Sequence, residues 1–189
     1  PPSRGDILLN GKSIHRMQQR EIACMVGFVP QNITPSFNYS VLDYVVTGCA
    51  PRMGVFQKPK AAEYEVAWQA ICTMGLEHIA RQSFMKISGG ERQQVAVARV
   101  IAQKPAVILL DEPTSHLDFG NQMKVLVLLR RLADEGYGIV MTTHNPDHVL
   151  MLDDQVGVLA RDGKFTFGMG REILKEDFLF KLYGTKLRI

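Results

Sequence analysis

Four apolar residues in a row, Val107 to Leu110, run into two acids, Asp111 and Glu112. A short run with no polar interruption predicts a strand buried on both faces. Met25 to Val29, closed by Pro30, and Gly138 to Thr142 read the same way. Between these runs the period switches from strand to helix. Ser40 can cap a helix over Val41 to Gly48, with Asp43 in the first turn, where negative charge is favoured. Ala50 to Lys60 is broken by Pro51, Gly54 and Pro59. Ala61 to Met74 repeats at helical spacing through Tyr64, Ala67, Trp68 and Ile71, and Trp68 reads as a core anchor. Ser88 and Glu91 form a capping box. The helix it opens runs to about Gln103, with Pro105 beyond and an apolar stripe of Val95, Ala98, Ile101 and Ala102. Phe119 to Glu135 is a further helix, stopped by Gly136, and Asp147 to Leu152 a short one. Gln155 to Ala160 and Lys164 to Phe167 predict a hairpin around Arg161-Asp162-Gly163, and Gly170 to Leu182 a closing helix. Gln31 to Asn38 is a loop marked by Pro35, Ser36 and Asn38. Alternating strands and helices predict an α/β fold with a mainly parallel sheet. A helical insert interrupts it at 40–86, leaving 1–39 and 87–189 for the sheet and its helices.

Composition narrows the class. The 189 residues suffice for one domain with a real core, and 46% hydrophobic and 22% charged residues are ordinary for a globular chain. A net charge of +3 is too small to predict a nucleic-acid binder. No apolar run reaches membrane-span length, and no signal peptide is present, so membrane association is expected only through a protein partner. Cys24, Cys49 and Cys72 are widely spaced and odd in number, which reads as thiols of a reducing cytoplasm.

The chemistry concentrates at strand ends. Open α/β sheets place their sites outside the carboxyl ends of the strands. Asp111 and Glu112 sit there, one acid suited to hold a divalent cation and one to handle a water. Ser88, Gly89 and Gly90 start a helix whose unpaired amides suit an anion. His144 ends another apolar strand. His148 follows four residues on, but Pro146 intervenes and no glutamate follows His144, so the metal-binding HExxH pattern is absent.

These pieces, in this order, resemble the nucleotide-binding subunit of an ABC transporter over essentially the whole chain. ISGGERQ (Ile87 to Gln93) resembles the family's signature motif, LLDEP (Leu109 to Pro113) its Walker B motif, SHLD (Ser115 to Asp118) its D-loop, TTH (Thr142 to His144) its switch histidine and VPQ (Val29 to Gln31) its Q-loop. The resemblance implies a P-loop NTPase-like ABC ATPase domain with a helical subdomain, using ATP and Mg²⁺. It implies Asp111 and Gln31 on the metal side, and Glu112 as general base with His144 and Gln31 beside it. Ser88, Gly89, Gly90 and Glu91 would grip the γ-phosphate of an ATP held by a second ATP-binding subunit, and Asp118 would communicate across that dimer. Glu91 departs from the glutamine of many relatives, but it serves the capping box equally well. His116 stands where relatives often carry alanine.

A P-loop, G-x-x-x-x-G-K-[ST], is missing. Gly11-Lys12-Ser13 falls short, because the first glycine of the pattern would be at position 6, which is Asp6. RGDILLNGKSI instead predicts a strand over Ile7 to Leu9, a turn at Asn10-Gly11 and a return strand. With Pro1-Pro2 at the start, this predicts a fragment beginning after its P-loop and inactive alone. Phe37 to Gly48 and Thr142 to Leu150 are most similar to importer subunits serving iron-siderophore, haem, cobalamin or molybdate uptake. Such a subunit works on the cytoplasmic face of the membrane, bound to permease subunits and, through them, to a substrate-binding protein. The segment 32–58, with Ile33, Phe37, Tyr39, Val55 and Phe56, would receive the permease. A soluble ABC-type ATPase of DNA repair or translation is the alternative, although the long inserts or tandem cassettes of those proteins are absent. A non-catalytic, self-associating fragment is a third.

Overall fold

A computed structural model of the chain describes residues 4–33, 37–115 and 117–184. Pro1-Pro2, the Pro35-Ser36 part of the predicted loop and His116 lie outside the described residues. The chain divides into two units, Pro1–Thr142 and Thr143–Ile189.

The first unit opens with a hairpin of β1 (Leu8–Leu9) and β2 (Lys12–Ser13). Asn10 and Gly11 both have positive φ, +48° and +76°, the signature of a type I′ turn. Ser13 donates from its hydroxyl to Asp6 Oδ1 at 2.9 Å, and Lys12 pairs with Glu21 at 3.2 Å. Gly11-Lys12-Ser13 is therefore a hairpin turn and its return strand. After α1 (Gln19–Met25), β3 (Val26–Val29) joins β4 (Val107–Leu110) and β5 (Gly138–Met141) in a parallel sheet ordered β3-β4-β5. Phe28, Leu109 and Val140 are in register across it, as are Val29, Leu110 and Met141.

Two-sided burial of β4 was the expectation, and the structure corrects it. Ile108 and Leu110 are buried, but Val107 and Leu109 are half-buried, and their neighbours Phe28 and Val140 are 50% and 58% exposed. The buried face packs on α4 (Gly89–Gln103) and α5 (Phe119–Asp134) through Val29, Ile108, Val97, Val100, Val125 and Leu129.

A second core gathers α2 (Val41–Val46), α3 (Ala61–Thr73) and the other side of α4. Ser40 caps α2 as expected, accepting from Asp43 N at 3.1 Å, but the helix tightens into 3-10 turns over Thr47–Arg52. Phe84 is fully buried here and stacks on Tyr44 with ring centroids 4.3 Å apart. Gly48 is needed for close approach: a Cβ there would lie 2.0 Å from the Arg99 carbonyl oxygen of α4. Trp68, expected as an anchor, is 40% exposed. Ala67, Ala70 and Ile71 fill the buried face of α3 instead, because small residues let α3 sit close to α4 and leave the indole at the rim. The apolar stripe of α4 is also broader than expected. Val95, Ala98 and Ala102 enter this core, while Ala96, Val97 and Val100 enter the sheet core.

In the second unit, α6 (Pro146–Leu152) precedes the hairpin of β6 (Gln155–Leu159) and β7 (Phe165–Met169). The expected closing helix is two: α7 (Gly170–Ile173) and α8 (Glu176–Tyr183). Lys175 is extended at the N-cap of α8, and Glu176 and Asp177 occupy its first turn, where acids suit the helix dipole. Among the described residues no helix is long and apolar enough to cross a membrane. Cys24, Cys49 and Cys72 are unpaired with one another; Cys49 is buried, and that burial pushes its thiol pKa up.

Candidate functional site

Three strands carry candidate residues past their carboxyl ends. The sheet ladder continues one residue beyond β4 and β5: Asp111 N–H donates to Val29 O and Thr142 N–H to Leu110 O, both at 2.9 Å. Then the chain turns out of the sheet at Glu112, whose φ is +45°. A side chain with a Cβ in this left-handed region costs roughly 1–2 kcal/mol, and strain of this kind gathers at functional sites. The turn is closed by Ser115 N–H donating to Glu112 O at 3.0 Å.

Side chains from all three strand ends meet at this elbow. Gln31, beyond β3, donates from Nε2 to Glu112 Oε2 at 2.9 Å. Thr142 donates from its hydroxyl to Asp111 Oδ1 at 2.8 Å and accepts the Glu112 backbone N–H at 2.9 Å. Asp111, Glu112 and Gln31 are half-buried, so the sheet holds them while one side stays open. The two carboxylates point to different partners, one toward a hydroxyl and one toward an amide. Thr142 entered the sequence reading only as the first residue of the TTH segment, with no role of its own, and its bonds to the two acids are what that reading missed.

The signature segment folds as its capping box requires. Ser88 Oγ accepts the Glu91 N–H at 3.3 Å, and Glu91 Oε2 accepts the Ser88 N–H at 2.8 Å. Hydrogen bonds from Ser88 also hold the Glu91 carboxyl below the usual carboxylate range. Gly89 has open space where a side chain would be. Nothing in the chain itself demands glycine there, and the amides at the start of α4 remain approachable. A Cβ on Gly90 would sit 3.7 Å from Leu117 and Asn121, so the start of α4 lies beside the start of α5. Asp118 caps α5, accepting from Asn121 N at 3.0 Å, and that bond lowers its carboxyl pKa.

His144 and His148 belong to the second unit. The His144 carbonyl accepts from the Tyr183 hydroxyl at 3.3 Å. His148 is 2% exposed and holds the loop around His144 from inside. The Asn145 carbonyl oxygen already accepts the Asp147 N–H at 3.0 Å, so its amide group donates to His148 Nε2 at 3.2 Å. Nδ1 of His148 therefore carries the proton and donates to Thr143 Oγ1 at 2.9 Å. Burial lowers the His148 pKa, with Asp147 opposing weakly. A depressed histidine pKa means that the unfolded chain takes up the proton first. The contribution is whole above pH ~6.5, the unfolded value, and is lost as pH falls below it toward the folded value. Denaturant unfolding at pH 7.5 and 5.5 should show a stability loss on acidification that is smaller in His148→Gln. Equal losses in both proteins would remove His148 as the titrating group.

Similarity to known proteins agrees with this arrangement. The family profile described as ABC transporter matches residues 1–115, and one described as AAA domain, putative AbiEii toxin, Type IV TA system matches residues 90–149. The molybdate import ATP-binding protein MolC of Haemophilus influenzae is 42% identical over 181 residues, which covers 94% of this chain and 70% of that protein. The ferric enterobactin transport ATP-binding protein FepC of Escherichia coli is 30% identical, with 100% of this chain and 70% of that protein covered. A solved metal-chelate type ABC transporter in an inward-facing conformation superposes with a TM-score of 0.82 at 42% identity, over 86% of this chain and 64% of that one. The strand-end acids, the capped signature helix and relatives aligned along nearly all of its length place this chain in the ABC transporter ATPase family.

Proposed function

We propose that this chain belongs to the ATP-binding and hydrolysing subunit of an ABC importer for a metal chelate or related cargo (iron-siderophore, haem, cobalamin or molybdate), and that these 189 residues are inactive alone. The observation that carries the reading is the contact of Gln31 with Glu112 beside Asp111, at the mouth of the parallel sheet. Phosphoryl transfer depends mainly on positioning and charge stabilisation, and this elbow offers both. Glu112 accepts a proton from, or orients, the attacking water, and Gln31 holds its carboxylate in place. Asp111 supplies the carboxylate for Mg²⁺, directly or through a bound water. Magnesium, when bound, neutralises charge on the transferring phosphate. Ser88, Gly89, Gly90 and Glu91 shape an anion-binding helix start for ATP on a second copy, with Asp118 beside it; His144 is assigned, with Glu112 and Gln31, to the hydrolytic group that meets the γ-phosphate. Residues 40–86 form the helical subdomain, and 1–39 with 87–189 the nucleotide core. The protein works at the cytoplasmic face of a membrane, held by permease subunits that associate with a substrate-binding protein. The names of relatives such as MolC and FepC support the cargo class.

Reconstitution of the native protein with its permease tests this reading. Mg-ATP hydrolysis, followed by phosphate release, and ATP-driven chelate uptake are expected; neither activity appearing would reject it. The G-x-x-x-x-G-K-[ST] pattern is absent from these 189 residues, and Gly11-Lys12-Ser13 is occupied as a hairpin. Residues 1–189 alone should therefore give no calorimetric Mg-ATP binding, and micromolar affinity would show another phosphate cradle.

The segment after Gln31 fits docking. Phe37 is 69% exposed, Val55 86% and Phe56 98%. Ile33 and Tyr39, expected on the same surface, are half-buried: Ile33 packs on both cores, and the Tyr39 ring meets Phe37 edge-on at 5.9 Å. Phe37→Asp with Phe56→Asp should abolish permease pull-down, because it puts charge into a contact that excludes water. ATPase activity of the isolated native subunit should change less than about twofold, since neither phenylalanine is an acid or a base. Retained assembly with lost ATPase would move this loop into the nucleotide site.

A further inference from the structure

We infer that Thr142 is a positioning residue that locks both strand-end acids through one hydroxyl. Glu112 leaves the sheet in the left-handed conformation directly after Asp111, whose own N–H still donates to Val29 O at 2.9 Å. The Thr142 hydroxyl oxygen takes the Glu112 N–H at 2.9 Å. Its single proton is thereby directed onward, to Asp111 Oδ1 at 2.8 Å. One side chain thus reads the backbone of one acid and the carboxylate of the other. It fixes the turn that aims Glu112 and the rotamer that aims Asp111. Thr142 itself is anchored because its own N–H continues the ladder to Leu110 O at 2.9 Å. Gln31 restrains the Glu112 carboxylate from the opposite strand at 2.9 Å. The acids are therefore gripped from both neighbouring strands, from the β5 side through the Thr142 hydroxyl.

The inference rests on the ATPase reading for its catalytic consequence, and its geometry is tested separately. Thr142→Val keeps the β-branched shape and removes the hydroxyl, while Thr142→Ser keeps the hydroxyl. In the native protein, Thr142→Val should lower kcat about 10- to 100-fold, the scale of a lost hydrogen bond to a charged group. KM for Mg-ATP and the thermal midpoint should stay close to wild type, and Thr142→Ser should recover most of kcat. Hydrogen exchange at the Glu112 amide, read by NMR, should rise at least about tenfold in Thr142→Val and stay protected in Thr142→Ser. Unchanged exchange in Thr142→Val overturns the lock whatever the kinetics. A kcat within twofold of wild type in Thr142→Val, or an equal loss in Thr142→Ser, overturns its catalytic role. A wild-type protein that hydrolyses no ATP rejects the ATPase reading instead, and the exchange measurement still decides the lock.

Discussion

Glu112→Gln is expected to leave ATP binding intact and to lower turnover of the native protein by on the order of 10²–10⁴, the usual scale for a lost acid–base group. The substitution is well matched to this site. Gln31 donates to Glu112 Oε2 at 2.9 Å, and the carbonyl oxygen of a glutamine accepts the same bond. The backbone keeps its left-handed turn, because Thr142 holds the N–H and not the side chain. Shape and hydrogen bonding survive, and the change removes only basicity and charge. With hydrolysis blocked, the nucleotide-closed dimer should accumulate. Single-turnover phosphate release, equilibrium ATP binding and sedimentation with Mg-ATP check the three parts. Wild-type turnover in this variant would take Glu112 out of the chemistry.

Phe84→Ala is expected to cost about 3–5 kcal/mol, from lost transfer energy and the cavity left behind. Phe84 has no exposed surface and stacks on Tyr44. Its N–H donates to Tyr39 O at 2.9 Å, so it also ties the segment after Gln31 to the approach to α4. A loss of this size is a large share of the 5–15 kcal/mol that holds a typical domain together. Denaturant titration at neutral pH measures it. A loss below about 1 kcal/mol would show that neighbours collapse into the space. Phe84→Leu should recover part of the loss, since it restores most of the apolar volume.

Local signals in the sequence carried much of this structure, and they failed where packing at a distance decided. Ser40, Ser88 and Glu91 announced their caps because the bonds span three residues. Asn10-Gly11 announced its turn because few residues accept positive φ twice in succession. Apolar runs located β3, β4 and β5, but a run cannot say whether both faces find partners, and Val107 and Leu109 are half-buried. Periodicity put Trp68 on the inner face of α3, but the close approach of α3 to α4 favours Ala67 and Ala70 there. The closing helix read as continuous because Leu174 is apolar and in phase, and its break is set by the extended Lys175. At the site, motif resemblance named Gln31, Asp111 and Glu112. Their joint geometry rests on bonds between residues far apart in sequence, which no local pattern contains. The TTH segment contained Thr142, but its bonds to Asp111 and Glu112 were illegible for the same reason.

The helix α4 is gripped from two sides, with Val95, Ala98 and Ala102 in one core and Ala96, Val97 and Val100 in the other. Gly48 brings a further backbone against it at Arg99. Such a helix behaves as a drive shaft. A shove on α2 or α3 reaches Ser88 through tightly packed small side chains, which have little slack to absorb it. Loosening that packing, with the acids untouched, is the way to uncouple a push received at the helical side from events at the start of α4.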